Sequence, residues 1–405
     1  MVEFVEYQGR KFKINMRTKK LDLYCRRIKK ISDIKNLQQA KDLQYLILMD
    51  NHIEIISGLD EMTNLKELVL TTNKIKKIEN LSNLKNLQDL YLDDNEIRRL
   101  ENVSQLKKLN NLVLNENDIS FVGDLSSNQN LLDLSLNFNN ISYISPNFLP
   151  SKLKTLNLAF NSLDNLEFLN NLPYLKILNI SENKIKNIEP LVNLKHLIEL
   201  RFVGNEISDL SKINVNNLKY LYIGENPIVN LDGLNPDNKI KIFNAYGNKI
   251  SIFKDVFNPN TLTELNLGNN LFETLPNLSL YFSLNKFYFQ NNSIKEIPEN
   301  FLPENLEYLN LQENKIEKIS GLSNLHKLNI VDLGHNNIEK FENLNGLYNL
   351  KFLNLENNRI KSFEGLGNLP NLKSIDLREN PIVKNITSDI LERFRKKDIN
   401  IILKA

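Results

Sequence analysis

The sequence predicts an α/β solenoid in which about 17 short parallel β-strands stack on one another. Sixteen asparagines recur along the 405 residues, and fourteen of the fifteen gaps between them are 22 residues long. Each closes the pattern L-x-x-L-x-L-x-x-N, as in residues 65–73. Because successive strand side chains point to opposite faces, the leucines at positions four and six of this motif face a common core. The recurring residues are Asn51, Asn73, Asn95, Asn117, Asn139, Asn161, Asn183, Asn205, Asn226, Asn248, Asn270, Asn292, Asn314, Asn336, Asn358 and Asn380.

The asparagine of each motif follows the predicted strand at a tight bend. Its side-chain amide can hydrogen-bond the backbone groups of that bend. Without such a partner, a buried backbone group costs about 1–3 kcal/mol. We therefore interpret these asparagines as structural residues and not as a binding site.

The second half of the repeat reads N-x-I-x-x-I-x-x-L-x-x-L, as in residues 73–84 and 183–194. Apolar residues at every third position suit a 3₁₀ or short helical return on the other side of the strands. With its period and strand motif, the chain resembles the leucine-rich repeats, and their SDS22-like subfamily in particular. The resemblance covers about residues 20–395. It implies a horseshoe with parallel strands on the concave face and 3₁₀, short helical or irregular segments on the convex face.

The ends of the chain differ from the repeats, as a solenoid requires. Residues 1–42 are predicted to form a hairpin, at 4–7 and 11–14, and a capping repeat with Arg26 in the asparagine position. Residues 43–380 form the array of 16 repeats, and residues 381–405 form a C-terminal cap. That cap is predicted to contain a helix with its N-cap among residues 387–389 and a last strand at 399–403.

Composition predicts a cytoplasmic, monomeric protein that binds neither nucleic acid nor membranes. The net charge is only +2, and Cys25 is the single cysteine, which fits a reducing compartment. Residues 1–6 include acids where a secretory signal needs bases, and no apolar run reaches the roughly 18 residues of a spanning helix.

Charge is unevenly distributed between the strand motif and the rest of the chain. Positions three, five, seven and eight of the 16 motifs should line the concave face, and they hold sixteen acids and three bases. That face therefore carries −13, and the remainder of the +2 chain carries +15. We interpret it as a docking groove for a basic protein surface; the alternative is that the charges only keep the face soluble. This acidic face would repel the phosphate backbone of a nucleic acid. The acids chosen as partner-binding candidates are Asp89, Asp93, Asp94, Glu116 and Asp133.

Aromatic residues on the same face are the predicted apolar anchors. Phe138 and Phe160 occupy position eight of adjacent repeats, so they should lie about 5 Å apart. Clustered Tyr, Phe and Arg are typical of binding hot spots, although exposed aromatics also pack across strands. The further candidates are Arg201, Tyr220, Tyr222, Tyr246 and Tyr288.

No catalytic, metal-binding or cofactor motif was found. The four histidines are scattered, and Asp93-Asp94-Asn95-Glu96 lacks the glycine and loop length of an EF-hand. The sequence therefore predicts a non-enzymatic scaffold for protein–protein interaction. Two alternatives stay open: a regulatory subunit of a protein phosphatase 1-like enzyme, which the SDS22-like resemblance implies, and a secreted binder of the internalin kind, which also uses 22-residue repeats.

Overall fold

The computed structural model describes residues 2–213 and 216–404. The chain divides into two compact units, one up to Glu206 and one from Ile207 onward. Each unit stacks three-residue parallel strands, one from each repeat. This arrangement confirms the predicted fold class, a parallel-strand solenoid of about 17 turns with few helices.

The first unit opens with an antiparallel hairpin, as predicted, in which Tyr7 pairs with Arg10. Its strands are β1 (Phe4–Tyr7), β2 (Arg10–Lys13), β3 (Lys20–Asp22), β4 (Tyr45–Ile47), β5 (Glu67–Val69), β6 (Asp89–Tyr91), β7 (Arg99–Leu100), β8 (Asn111–Val113), β9 (Phe121–Val122), β10 (Asp133–Ser135), β11 (Thr155–Asn157), β12 (Ile177–Asn179) and β13 (Glu199–Arg201). β7 and β9 form a separate small parallel sheet. Four 3₁₀ segments lie at Ile31–Asp33, Leu37–Gln39, Glu167–Asn171 and Glu189–Asn193.

The second unit continues the same pattern. Its strands are β14 (Tyr220–Tyr222), β15 (Ile242–Asn244), β16 (Glu264–Asn266), β17 (Lys286–Tyr288), β18 (Tyr308–Asn310), β19 (Ile330–Asp332), β20 (Phe352–Asn354), β21 (Ser374–Asp376) and β22 (Asn400–Ile402). A 3₁₀ segment (Pro381–Asn385) and helix α1 (Ser388–Lys396) precede β22, which pairs with β21. The predicted C-terminal helix and last strand are confirmed. Thr387 is the N-cap residue, but its side chain makes no capping hydrogen bond.

The core of each unit consists of the middle residue of each repeat strand, the apolar residue two positions after it, and the apolar residues of the outer segments. Leu68, Leu90 and Leu112 are in register on neighbouring strands and are fully buried. Burying a leucine side chain stabilises the fold by about 1.5–3 kcal/mol. Most outer segments of the described chain are turns and extended backbone rather than regular helix.

The recurring asparagines hydrogen-bond the backbone of their own bend, as predicted, and they also link consecutive repeats. Asn117, 8% exposed, donates from Nδ2 to the carbonyl oxygens of Leu92, Leu114 and Asn115 at 2.9, 3.2 and 3.1 Å. Its Oδ1 accepts the backbone N–H of Ile97 at 3.0 Å. Each side chain therefore satisfies backbone groups in its own repeat and in the one before it.

Candidate protein-binding face

The candidate site lies on the water-facing side of the sheets. This solvent face consists of the first and third residues of each repeat strand and the two residues before the recurring asparagine. The residue directly before that asparagine, position eight of the motif, has a left-handed backbone in all sixteen repeats, with φ from 49° at Asn357 to 72° at Gly247. Residues other than glycine and asparagine rarely adopt this conformation.

Phe138 and Phe160 both occupy this left-handed position, with φ of 52° and 54°. Their rings stack with centroids 4.2 Å apart and an interplanar angle of 7°. The two residues remain 49% and 46% exposed. The predicted adjacency of the two phenylalanines is confirmed, and their role in binding stays a prediction.

Carboxylates flank the phenylalanine pair along the position-eight column. Asp94 and Glu116 precede it and Glu182 follows it, one repeat apart in each case. Backbone hydrogen bonds fix this order: Glu116 N donates to Asn137 O at 2.9 Å, and Phe160 N donates to Ser181 O at 2.9 Å. Neighbouring strands lie about 4.8 Å apart. The stacked phenylalanines therefore form an apolar patch with acidic residues on both sides along this column.

Asp89 and Asp133, the first residues of β6 and β10, and Asp93 lie deeper in the face than Asp94 and Glu116. Burial raises the pKa of Asp89 and of Asp93 above the usual aspartate range. Asp93 Oδ1 accepts hydrogen bonds from the backbone N of Asn115 at 3.1 Å and from its Nδ2 at 2.8 Å. The Asp93 carboxylate is thus already hydrogen-bonded to Asn115 of the next repeat.

The hydrogen bonds of Asp93 belong to a second ladder, on the solvent face, that sequence reasoning missed. Asn115 Oδ1 accepts the N–H of Asn137 at 2.9 Å, and Asn137 Oδ1 accepts that of Ala159 at 3.1 Å. In the second unit the backbone N–H at the equivalent position donates to a side chain of its own repeat. Gly268 N, for example, donates to Asn266 Oδ1 at 3.0 Å. The available signals were the Asn or Asp at position seven for the ladder between repeats, and the Asn at position five, in L-N-L, for the bond within a repeat.

The bases on the solvent face are paired with acids on the same face. Arg201 Nε lies 2.6 Å from Glu199 Oε1 in β13, and Lys286 Nζ lies 3.4 Å from Glu264 Oε2. The third base, Arg378, lies within 2.8 Å of carboxylate oxygens in β21 and in the repeat before it. Nine acids and one base fall on the face of the first unit, and seven acids and two bases on that of the second, a net −8 against −5. The excess of acidic over basic residues on this face is therefore larger in the first unit than in the second.

The predicted tyrosines belong to the second unit and are half-buried. Tyr220 and Tyr222 are the first and third residues of β14, and Tyr246 donates its N–H to Asn244 Oδ1 at 3.0 Å. Tyr288 packs on Tyr308 of the next strand with ring centroids 4.8 Å apart, and burial raises the pKa of both phenols. Tyr308, which has the same strand position as Tyr220, was missed. Two aromatic pairs therefore lie on the solvent face of the described chain, one in each unit.

Two further findings concern residues 2–213 and 216–404. No helix there combines the length and apolar character that crossing a bilayer needs. No three His, Cys, Asp or Glu side chains there gather as ligands for a metal ion.

The comparisons with known proteins concern the fold. The family model for leucine-rich repeats (2 copies) matches residues 41–83, 304–346 and 348–392. A leucine-rich repeat protein of Leptospira interrogans is 26% identical, with 94% of each chain covered and a TM-score of 0.78. An internalin of Listeria monocytogenes, InlF, is 30% identical over 79% of this chain and 89% of that one, with a TM-score of 0.61.

A third structure, the functional domain of InlJ from Listeria monocytogenes, is 23% identical, covers 84% of this chain and 76% of that one, and has a TM-score of 0.70. At that identity it supports the fold alone. No curated protein matches the sequence significantly. The repeat motif, the asparagine ladder and these matches agree, and the chain belongs to the leucine-rich repeat family.

Proposed function

We propose that this protein is a non-enzymatic scaffold that docks a partner protein with a basic surface on the solvent face of its first unit. The observation that carries the proposal is the exposed stack of Phe138 and Phe160, with Glu116 before it and Glu182 after it. An apolar anchor with carboxylates on both sides matches the centre and rim of a protein interface.

The backbone conformation supports a role outside the chain for this stack. A left-handed backbone costs a residue with a Cβ about 1–2 kcal/mol, so two phenylalanines together cost about 2–4 kcal/mol. The stacked pair recovers about 0.5–1.5 kcal/mol. Glycine or asparagine, which tolerates this conformation, occupies the same position in five other repeats, and aspartate, glutamate, threonine or histidine occupies it in nine. The backbone therefore does not select phenylalanine here, and burial does not either, because both rings remain about half exposed.

Arginine is the side chain of a partner that best fits this surface. A guanidinium stacks on an aromatic face with a gain of about 0.5–1 kcal/mol at an exposed site. From there it can form paired hydrogen bonds to a carboxylate such as Glu116 or Glu182. The net −8 of the first unit's face would speed the encounter with such a partner, and this effect would weaken with salt.

Peptide binding tests this proposal directly. Labelled oligoarginine and oligolysine of equal length would be titrated with the full chain and followed by fluorescence anisotropy. Phe138→Ala/Phe160→Ala should remove a preference for arginine of about fivefold, the equivalent of about 1 kcal/mol. Oligolysine, attracted mainly by charge, should bind both proteins alike.

The matched control is Tyr143→Ala/Tyr174→Ala. These two tyrosines are 50% and 56% exposed and lie in outer segments of the same unit. If the control variant loses the arginine preference equally, or wild type has none, the phenylalanine stack is not an anchor. Affinity capture with the same three proteins would then identify natural partners that depend on the stack.

Two other functions remain hypotheses. The similarity to InlF favours a secreted binder of the internalin kind, which would be supported by finding the protein outside the source cell. Regulation of a protein phosphatase 1-like enzyme rests on the SDS22-like repeat pattern, and stoichiometric capture of a phosphatase would support it. We propose a cytoplasmic location, because the only cysteine, Cys25, is an exposed free thiol.

A further inference from the structure

A cavity of about 520 Å³ lies at the C-terminal end of the second unit, between α1 and the outer segment of the last repeat. Its size falls within the range of small-molecule sites. Its walls combine apolar and polar surface, and the apolar side chains include Phe363, Leu366, Leu372, Ile390 and Phe394.

The cavity exists because the last repeat is incompletely covered. In the preceding repeat, Phe341 and Leu344 are 2% and 1% exposed. The equivalent Phe363 and Leu366 are only half-buried, because α1 takes the place of a further repeat. The ring of Phe394 reaches to 5.3 Å from that of Phe363, yet α1 has no buried residue of its own. Apolar side chains of the last repeat and of α1 therefore both face the cavity.

Basic side chains also line this cavity. Lys361, Arg393 and Lys397 contribute to the lining, and no aspartate or glutamate of the described chain does. Lys361 Nζ lies 3.9 Å from a carboxylate oxygen of Glu339, which partly offsets its charge. Arg393 lies in the last turn of α1 and Lys397 is its C-cap residue, and both line the cavity.

The C-terminus of a helix favours cations in any case. However, Arg395 and Lys396 are also in the last turns of α1, and they do not line this cavity. The placement of Arg393 and Lys397 beside the apolar walls is therefore not required by the helix alone.

We propose that this cavity binds an amphiphilic monoanion with a single aliphatic chain, of the fatty-acid type. Its chain would lie between Phe363, Leu366 and Phe394, and its carboxylate would bind Arg393 and Lys397. A neutral lipid would leave these cations unmatched, and a sugar phosphate would leave the apolar walls against polar groups. This site is independent of the protein-binding face.

Calorimetric titration of the full chain with dodecanoate, below the concentration at which it forms micelles, tests the proposal. The control ligand is dodecyltrimethylammonium, with the same chain and the opposite charge. We expect saturable binding of one dodecanoate per chain, at least tenfold tighter than that of the cation. Arg393→Gln/Lys397→Gln should weaken dodecanoate binding about tenfold. Arg395→Gln/Lys396→Gln, with the same charge change in the same helix, should leave it unchanged.

A second variant guards against unfolding of the cap. Leu366→Trp keeps every cation and fills part of the cavity, and it introduces the only tryptophan of the chain. We expect it to weaken dodecanoate binding and to report residual binding through its emission. The proposal is overturned if wild type shows no saturable binding, if the cation binds equally well, if both glutamine variants lose binding alike, or if Leu366→Trp binds dodecanoate like wild type.

Discussion

Removing one recurring asparagine should destabilise the first unit by more than its small size suggests. Asn117 makes four hydrogen-bond contacts, but its Nδ2 has only two hydrogens, so it contributes two donated bonds and one accepted bond. Each is worth about 1 kcal/mol net. In Asn117→Ala the accepted bond costs about 1–3 kcal/mol rather than 1, because the buried N–H of Ile97 is left without a partner. We expect a loss of about 3–5 kcal/mol in the free energy of unfolding.

Urea unfolding followed by circular dichroism measures this loss, with Asn140→Ala as the control. Asn140 is an exposed asparagine that follows the ladder residue Asn139 in the next repeat, and its replacement should change stability by less than about 0.5 kcal/mol. Hydrogen exchange adds a local readout, because the amide of Ile97 should lose protection in Asn117→Ala alone. If the two variants are equally stable, or Ile97 stays protected, the ladder does not bear on stability as argued.

Two further predictions concern the second unit. Gly365→Ala should lower the urea midpoint strongly, because φ is +86° and the added Cβ would lie 1.8 Å from Phe341 O; Gly9→Ala, with φ of +75° and nothing within 4 Å, should cost only about 1 kcal/mol. Burial, and then the hydrogen bond to Asp255, raises the pKa of Tyr281, so the folded chain keeps this proton while the unfolded chain ionises near pH 10. Stability should therefore fall above about pH 10 more steeply in wild type than in Tyr281→Phe, as measured by urea unfolding across that range.

The repeat motif was enough to predict the fold, because the same physical requirement recurs in every repeat. Alternation placed Leu68 and Leu90 inside, and the bend after each strand needed an amide such as Asn117. The hairpin at Gly9, which has a left-handed backbone, followed from local turn chemistry alone. The outer segments were less predictable. Their geometry depends on how each repeat packs on its neighbours, and most adopted turns rather than the 3₁₀ helix that their spacing suggested.

The candidate site was only partly predictable. Motif position placed Phe138 beside Phe160, but the left-handed backbone that turns both rings into a stack depends on the bend geometry. The small sheet of β7 and β9 had no repeating signal, because it occurs in only two adjacent repeats of the described chain. The cavity at α1 follows from how incompletely a helix replaces a missing repeat. This is a property of packing, and no residue pattern reports it.

Asp93 separates the two interpretations of the acidic face, solubility and recognition. Burial raises its pKa, so ionisation is harder in the folded chain than in the unfolded one. The fold therefore loses stability as pH rises from about 3.9 through the folded pKa, and at neutral pH the charge is unfavourable. Asn115 and Asn137 cap the equivalent N–H with an amide, so Asp93→Asn can keep its hydrogen bond to Asn115 N.

We therefore expect Asp93→Asn to raise the urea midpoint at pH 7 and to lose that gain below about pH 4. The exposed Asp94→Asn is the control, and it should change little. An unchanged midpoint in Asp93→Asn would contradict the burial argument. If the variant is more stable and binds oligoarginine more weakly, the carboxylate serves recognition at the expense of stability. If it is more stable and binds equally well, Asp93 does not belong to the binding site, and the acids that flank Phe138 and Phe160 must supply the attraction.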